Sequence, residues 1–173
     1  MRMWCRIAAS VLIFLSAAVA TAADSFVEGE PPRAGRVEVR KAARLLLLLD
    51  RDGAELRRYT VALGGDPVGD KRREGDSRTP EGRYVIDWRN PQSAYHLSLH
   101  VSYPDERDRA EAAVRGEDPG GMIMIHGMRN GFGWLGSLHQ YVDWTDGCIA
   151  VTNEEIEDIW RLVPNGTPID ILP

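Results

Sequence analysis

The stretch HLSLHVSY, residues 96–103, alternates apolar and polar side chains with a period of two. Leu97, Leu99, Val101 and Tyr103 occupy the apolar positions, and histidine or serine occupies each position between them. This is the period of a β-strand with one buried face and one polar face. The stretch therefore predicts a half-buried strand and favours a β-rich fold.

The two histidines of this stretch, His96 and His100, raise the question of a metal site. On a helix, two histidines four residues apart would face one ion together. Along a strand, four residues span roughly 13 Å, which is too far for shared coordination. We therefore expect both histidines on a surface or in a groove, and we predict no metal site.

Further strands are predicted on both sides of this stretch. Asp52-Gly53 stands between the apolar run Leu45–Leu49 and a second strand-like segment, and Asp-Gly readily forms a tight hairpin turn, so two antiparallel strands are expected here. The other strand candidates are GRYVIDWR (82–89), MIMIH (122–126) and TPIDILP (167–173).

Two short helices are predicted between the strands. DERDRAEAAVRG (105–116) alternates in charge as a solvated helix does. The second helix begins at Thr152, with Glu155 placed to complete a capping box, and Pro164 to Gly166 end it. Its apolar face comprises Ile156, Ile159, Trp160 and Val163. The sequence thus predicts a single mainly β domain, a β-sandwich or an open-barrel-like fold, with two short helices.

The N-terminal residues have the layout of a secretory signal peptide. Arg2 and Arg6 flank the start of the apolar run Ile7–Ala20, and small residues suitable for cleavage follow it. That run is 14 residues long, shorter than the roughly 18 of a membrane-spanning helix. We predict a signal peptide at residues 1–23, a lead-in segment at 24–41 and the folded domain at 42–173. An uncleaved membrane anchor is the alternative.

The charge of the chain argues against polyanionic partners. Loss of Arg2 and Arg6 with the signal peptide would leave 19 of the 21 basic residues against 26 acidic ones, a net charge of −7. The basic residues are also interspersed with acidic ones, as in DKRREGDSR (70–78). Neither nucleic acid nor an anionic membrane surface is therefore expected as a partner.

Cysteine usage points to a chemical role for Cys148. Cys5 would leave with the signal peptide, so Cys148 would be the sole cysteine of the exported protein. A lone exported thiol forms no internal disulfide and is exposed to oxidation, which calls for a reason to keep it. A buried, inert thiol is the alternative interpretation.

The residues around Cys148 are suited to nucleophilic catalysis. Gly147 allows unusual backbone angles, so that the Cys148 N–H can point into a cleft and stabilise an oxyanion. A thiolate needs a base or a cation nearby, and His126 is the candidate base because it ends a predicted strand and is followed by Gly127. His139 lacks this setting, and we predict no site role for it.

At these residues the chain resembles a known family. MIMIHG (122–127) followed by DWTDGCIAV (143–151) is similar to the signature of the L,D-transpeptidase catalytic domain, also called the YkuD domain. TPEGRYVI (79–86) resembles the Thr-Pro-x-Gly segment of that family, and GDPVGDKRREGDSRTPEG (65–82) resembles the longer version found in a periplasmic branch. NGTPIDI (165–171) resembles its closing strand. The resemblance covers about residues 42–173.

The resemblance implies a function and residue roles. Cys148 would be the nucleophile that takes an acyl group from a peptidoglycan stem tetrapeptide, cut between diaminopimelate and D-alanine. His126 would be its general base, oriented by a backbone carbonyl near Gly127. Thr145, Asp146 and Gly147 would shape the loop around the thiol, with the Gly147 and Cys148 amides as oxyanion donors. The acceptor would be another stem's amine, an amino acid, a lipoprotein lysine or water. No metal or organic cofactor is implied, and the oligomeric state stays open.

Three features leave alternatives open. Many family members carry histidine or lysine at the position of Asp146 and arginine at that of Ala150. An anionic Asp146 would raise the pKa of the Cys148 thiol unless its carboxylate is turned away or paired. The loop 130–144 is longer than in many relatives and forms either a wall of the cleft or core packing. Besides a transpeptidase, the sequence is compatible with a hydrolytic relative, an amidase or L,D-carboxypeptidase, and with a non-catalytic cell-wall-binding domain.

Overall fold

The computed structural model of the protein describes residues 32–173. The predicted signal peptide and residues 24–31 of the lead-in segment lie outside the described residues. Within 32–173, no helix is both long enough and apolar enough to cross a membrane.

The described chain folds around one mixed sheet of eight strands. The spatial order is β3-β2-β1-β8-β4-β5-β6-β7, with β1 parallel to β8, β6 parallel to β7, and antiparallel pairing elsewhere. The strands are β1 (Arg36–Arg40), β2 (Leu45–Leu49), β3 (Glu55–Thr60), β4 (Gly82–Ser93), β5 (His96–Val101), β6 (Met124–His126), β7 (Ile149–Ala150) and β8 (Thr167–Leu172).

The predicted hairpin and the predicted strands are confirmed. β2 and β3 pair antiparallel on either side of Asp52-Gly53, and Gly53 has the positive φ of 85° that this turn requires. Leu46 and Leu48 are fully buried because β2 lies inside the sheet between β1 and β3. The leucine run is therefore a core strand, as its length and flanking turn predict.

The predicted start of the domain at residue 42 is wrong. β1 lies before that boundary and pairs with β2 on one side and with β8 on the other. Val37 and Val39 on this strand are completely buried. The end of the lead-in segment, residues 36–41, therefore belongs to the folded domain, because an interior strand cannot be separated from its sheet.

The sheet curls so that its two edges approach each other. β3 and β7 are the edge strands, and Ala62, just after β3, forms a two-way backbone bridge with Ala150 of β7 through bonds of 2.8 and 3.0 Å. Such a closing contact is what an open barrel requires and what a flat sheet cannot make. Of the two predicted architectures, the open-barrel-like one is confirmed.

Two short α-helices lie between the strands, as predicted. α1 (Glu106–Arg115) follows β5, and α2 (Asn153–Leu162) follows β7. Thr152 caps α2 through its hydroxyl, which accepts from the Glu155 N–H at 3.2 Å, while the Glu155 carboxylate accepts from the Thr152 N–H at 2.8 Å. The predicted capping box is thus present. A 3₁₀ segment (Gly133–Tyr141) occupies the long loop between β6 and β7.

The polar face of β5 differs from its prediction at Ser98. Leu99, Val101 and Tyr103 are buried as their alternation predicts, but Ser98 is only 3% exposed. β5 is an interior strand between β4 and β6, and Ser98 faces a cavity instead of bulk water. A polar position of this alternation therefore marks either the surface or a cavity wall.

The two histidines of β5 have separate partners. His96 pairs with Glu157 and His100 with Asp87, each through a nitrogen–oxygen distance of 2.7 Å. Within residues 32–173, no group of three or more histidine, cysteine, aspartate or glutamate side chains is arranged to hold a metal ion.

Candidate active site

A cavity of about 330 Å³ opens where β5, β6 and β7 meet the loops around them. The predicted site residues His126, Thr145, Asp146 and Cys148 all line it, although 21 residues separate the first from the last in sequence. Its other walls are Ser93, Tyr95, Ser98, Met122, Met124 and Trp144. We call this space the catalytic cavity.

Strand pairing brings Cys148 and His126 together. β6 and β7 run parallel with Ile125 opposite Ile149 and His126 opposite Ala150. Cys148 stands immediately before β7 and across from Met124, and His126 lies two residues farther along β6 on the same face as Met124, so both side chains enter the catalytic cavity. The partly buried Cys148 thiol donates to the carbonyl of Met122 at 3.6 Å.

The orientation of the His126 ring is fixed by its own chain. Nδ1 lies 2.6 Å from the carbonyl oxygen of Gly127. A carbonyl can only accept, so Nδ1 carries the proton and Nε2 of the neutral ring is the basic nitrogen. The predicted orienting carbonyl near Gly127 is therefore that of Gly127 itself.

His126 is buried, and burial keeps it neutral. The ring is 4% exposed, and desolvation lowers its pKa to about 4, against an opposing effect of the Gly127 carbonyl. Tyr95 and Trp144 cover it, with ring centroids 4.6 and 5.9 Å away. At neutral pH the ring is consequently an uncharged base.

The thiol of Cys148 is also held in its neutral form. Burial raises its pKa, and the charge of Asp146 raises it further, whereas the Met124 backbone amide and the charge of Lys71 lower it. At neutral pH both His126 and the Cys148 thiol are therefore uncharged.

Thr145 and Gly147 hold the loop in front of the cysteine. The Thr145 hydroxyl donates to the Cys148 carbonyl at 2.7 Å and accepts from the Gly147 N–H at 3.1 Å. The Gly147 N–H is thus already engaged within the loop. The roles of the Gly147 and Cys148 amides as oxyanion donors stay predictions.

Gly147 is required for close approach of two segments. Its φ is +124°, and a Cβ built there would lie 2.4 Å from the carbonyl oxygen of Arg78. No side chain fits that space, because the obstacle is backbone. Gly127 is also closely packed: a Cβ would lie 2.8 Å from Oδ1 of Asn153 at the start of α2.

The segment TPEG (79–82) supports the cysteine loop from behind. The fully buried Thr79 accepts from the Gly64 N–H at 3.1 Å, and Gly65 in turn donates to the Thr145 carbonyl at 2.9 Å. The buried Lys41 donates to the Gly69 and Thr79 carbonyls at 2.6 and 2.8 Å.

Lys41 makes a third contact, with the Glu81 carboxylate at 2.8 Å. All three protons of its ammonium group are therefore used.

The two departures from the family pattern have different structural settings. Asp146 is exposed and lines the catalytic cavity together with Cys148, and its charge contributes to raising the pKa of the thiol. Ala150 is completely buried on β7. It pairs across the strands with His126, so its side chain lies on the same face of the strand pair as the His126 ring.

Sequence reasoning missed several residues of the site. The sequence does not indicate Tyr95 or Trp144 as site residues, although their rings cover His126. The loop that contains Trp144 is predicted to form either a wall of the cleft or core packing. Trp144 lines the cavity and is therefore part of its wall. His139, predicted to have no site role, accepts from Trp144 Nε1 at 3.4 Å, and its charge lowers the pKa of His126. Lys41 stood in the predicted lead-in segment. No local pattern could have indicated these contacts.

Comparisons with known proteins agree with this geometry. The sequence profile of the L,D-transpeptidase catalytic domain (YkuD) matches residues 34–171. YafK from Escherichia coli (strain K12), whose name assigns it to the L,D-transpeptidases, is 29% identical over 134 residues, which are 73% of this chain and 46% of YafK. The helical cell shape determining protein Pgp2 from Campylobacter jejuni is 26% identical in its crystal structure, with a TM-score of 0.62 over 78% of this chain and 46% of Pgp2.

A more distant structure shares the fold alone. The L,D-transpeptidase from Mycobacterium smegmatis is 14% identical, with a TM-score of 0.52 over 79% of this chain and 58% of that protein. The chain thus spans about half the length of YafK and Pgp2. It belongs to the L,D-transpeptidase catalytic domain family, which acts on peptidoglycan stem peptides.

Proposed function

We propose that the protein is a peptidoglycan L,D-transpeptidase that uses Cys148 as its nucleophile and His126 as its general base. The observation that carries this proposal is the placement of both side chains in one cavity, with the His126 ring held in the tautomer whose Nε2 accepts a proton. The family to which the chain belongs supports the choice of stem peptides as substrate.

The first half of the reaction forms a thioester. Sγ of Cys148 attacks the carbonyl carbon between diaminopimelate and the terminal D-alanine, and Nε2 of His126 removes the thiol proton as the new bond forms. The tetrahedral intermediate collapses with cleavage of the C–N bond. His126 passes the proton to the departing amine, and D-alanine leaves.

The neutral resting state suits this sequence. A buried, uncharged His126 can take a proton from Cys148 only as the attack proceeds, so that positive charge appears on the ring when negative charge appears on the substrate oxygen. The Cys148 N–H is the donor that we assign to that oxygen, since Thr145 already accepts from the Gly147 N–H.

The second half transfers the acyl group to an amine acceptor. His126, again neutral, removes a proton from the attacking amine, the thioester C–S bond breaks, and the Cys148 thiol is restored. A stem side chain, an amino acid or a lipoprotein lysine can supply the amine. Water in the same position would make the protein a hydrolase.

The proposed substrate lies in the cell envelope, and we assign the protein to the periplasm. Residues 1–23 carry the export signal in this proposal. N-terminal sequencing of protein from the envelope fraction tests it: a mature chain that begins near residues 21–24 is expected, and an intact Met1 in the cytosol would refute export.

Mass spectrometry of the protein incubated with a purified disaccharide-tetrapeptide tests the chemistry. We expect a covalent adduct on Cys148 and released D-alanine, and we expect neither in Cys148→Ser, because a serine hydroxyl is a far weaker nucleophile here. Circular dichroism of the variant checks its fold. An equal rate of product formation by Cys148→Ser would refute the proposal.

The products distinguish transfer from hydrolysis. With a second stem peptide present as acceptor, the proposed function gives a cross-linked dimer. Accumulation of free tripeptide with no dimer would instead assign the hydrolytic reaction to the same Cys148 thioester.

A further inference from the structure

A second cavity, of about 440 Å³, is lined by four arginines: Arg72, Arg73, Arg78 and Arg115. The first three lie on the loop between β3 and β4, and the fourth ends α1. Three acidic residues, Asp66, Asp76 and Glu117, also line this cavity. Four arginines thus share one cavity with three carboxylates in a chain whose net charge is −5. We call this space the arginine cavity.

The acidic side chains of the arginine cavity already have partners. Burial opposes the ionisation of Asp76, but the backbone amides of Arg72, Arg73 and Arg78 and the ammonium of Lys71 lower its pKa to about 2. The distance from Asp76 Oδ1 to Lys71 Nζ is 2.8 Å. The carboxylate of Asp76 thus serves to shape the loop, and its charge is balanced by Lys71.

Two of the arginines are likewise engaged by carboxylates. Arg78 binds Asp66 through two nitrogens at 3.0 and 2.9 Å, and Arg115 binds Glu117 at 2.8 Å. Arg73 approaches Glu117 only to 3.8 Å. Once these pairs are formed, positive charge remains in the cavity on Arg72 and Arg73.

The backbone of Arg72 is held by hydrogen bonds, whereas its guanidinium is not. The Arg72 N–H donates to Asp76 at 2.7 Å, and its carbonyl accepts from Arg115 at 2.9 Å. Within residues 32–173, the Arg72 guanidinium forms no hydrogen bond or ion pair. A guanidinium on an anchored backbone is suited to bind a planar anion through two parallel hydrogen bonds.

A trough of about 320 Å³ borders both the arginine cavity and the catalytic cavity. It shares Gly75 with the arginine cavity and Asp146 with the catalytic cavity. Lys71, Glu74 and Gly120 are also among the residues that line it. A substrate that extends from the thiol toward the arginines would lie along this trough.

We propose that the arginine cavity binds a carboxylate of the stem peptide that reacts at Cys148, with Arg72 and Arg73 as the residues that recognise it. The inference rests on the proposed function for its substrate: a stem peptide carries carboxylates besides the reacting carbonyl. Arginine pairs with such groups in a planar, two-bond geometry, and the trough supplies the path between the two points.

A binding experiment tests this inference separately from catalysis. Cys148→Ala protein, which cannot react, is titrated by calorimetry with a disaccharide-tetrapeptide and with the same peptide after its carboxylates are converted to carboxamides. We expect the amidated peptide to bind at least about tenfold more weakly, since hydrogen bonds to charged groups stabilise more than neutral ones.

The arginines are then substituted in the Cys148→Ala protein. In Arg72→Gln/Arg73→Gln the preference for the charged peptide should fall to about twofold or less. The control Arg57→Gln/Arg58→Gln removes the same charge from exposed arginines of β3 outside this cavity and should keep the full preference. Arg72→Gln alone, which disrupts no side-chain pair, serves if the double variant is unfolded.

Each result decides the inference. Three results would overturn it. The first is a preference for the charged peptide that survives in Arg72→Gln/Arg73→Gln. The others are equal binding of both peptides to Cys148→Ala and a lack of binding by both peptides. Adduct formation on wild-type Cys148 is measured independently of peptide binding. The proposed function can therefore be confirmed while this inference is refuted, or refuted while this inference is confirmed.

Discussion

Nδ1 of His126 lies 2.6 Å from the carbonyl oxygen of Gly127, the next residue in the chain. This contact fixes the tautomer and leaves Nε2 as the basic atom of a ring that is almost completely buried. The pKa of His126 falls to about 4 through that burial. Acid–base behaviour in the catalytic cavity therefore differs from that of an ordinary histidine.

We predict that acylation stays active well below pH 6. Burial disfavours the protonated ring, so His126 remains a base at any pH above about 4, whereas an unperturbed histidine would be half protonated near pH 6.5. The initial rate of adduct formation at limiting substrate, followed from pH 3.5 to 8, measures this. His96→Ala, which alters an ion pair with Glu157, is the control and should leave the acid limb unchanged. A wild-type acylation rate that falls to half of its maximum near pH 6.5 on the acid side would contradict the prediction.

The reactivity of the thiol should depend on Asp146. Burial and the Asp146 carboxylate both raise the pKa of Cys148, so Asp146→Asn should move the pH profile of iodoacetamide alkylation to lower pH. Asp52→Asn, in the β2–β3 turn, removes the same charge from a distant site and should leave the profile unchanged. A shift to higher pH in Asp146→Asn would show that this carboxylate assists the thiol.

The acylation step should tolerate Asp146→Asn. The carboxylate lies at the cavity rim and takes no part in the covalent steps of the proposed mechanism. We expect the rate of adduct formation to stay within about tenfold of wild type, equivalent to about 1.4 kcal/mol. A loss as large as that of His126→Ala would place Asp146 in the proton-transfer machinery.

Gly147→Ala should destabilise the protein and abolish adduct formation. The methyl group would meet the Arg78 carbonyl at 2.4 Å and would also impose a positive φ on alanine. Gly166→Ala is the matched control, because Gly166 also has a positive φ, +89°, but open space around its Cβ position. Urea unfolding should show a loss of about 1–2 kcal/mol for the control and a larger loss for Gly147→Ala. Equal losses would mean that the Arg78 contact is easily relaxed.

Lys41→Met should be strongly destabilising. It would leave the Glu81 carboxylate and two carbonyls without their donor in a buried place, at a cost of about 3 kcal/mol or more. Arg40→Met is the control: Arg40 pairs with Glu38 at the surface, and its loss should cost less than about 1 kcal/mol. Similar unfolding free energies for both variants would contradict a bracing role for Lys41.

Local features of the sequence determined most of the secondary structure and indicated the two residues to which the proposed function assigns the chemistry. Three such features are formed by residues close in sequence, and the sequence therefore predicts them. They are the alternation in β5, the Asp52-Gly53 turn and the Thr152–Glu155 capping box. His126 and Cys148 were identifiable because a glycine beside each marks a constrained backbone.

The tertiary structure decided what lies around those residues. Residues far apart in sequence meet only through strand pairing and barrel closure, as Lys41 meets Glu81 and as Ala62 meets Ala150. Burial is also a property of the whole fold. Because of burial, Ser98 lines a cavity and His126 is uncharged at neutral pH. Both results depend on solvent exposure, which no local pattern of side chains specifies.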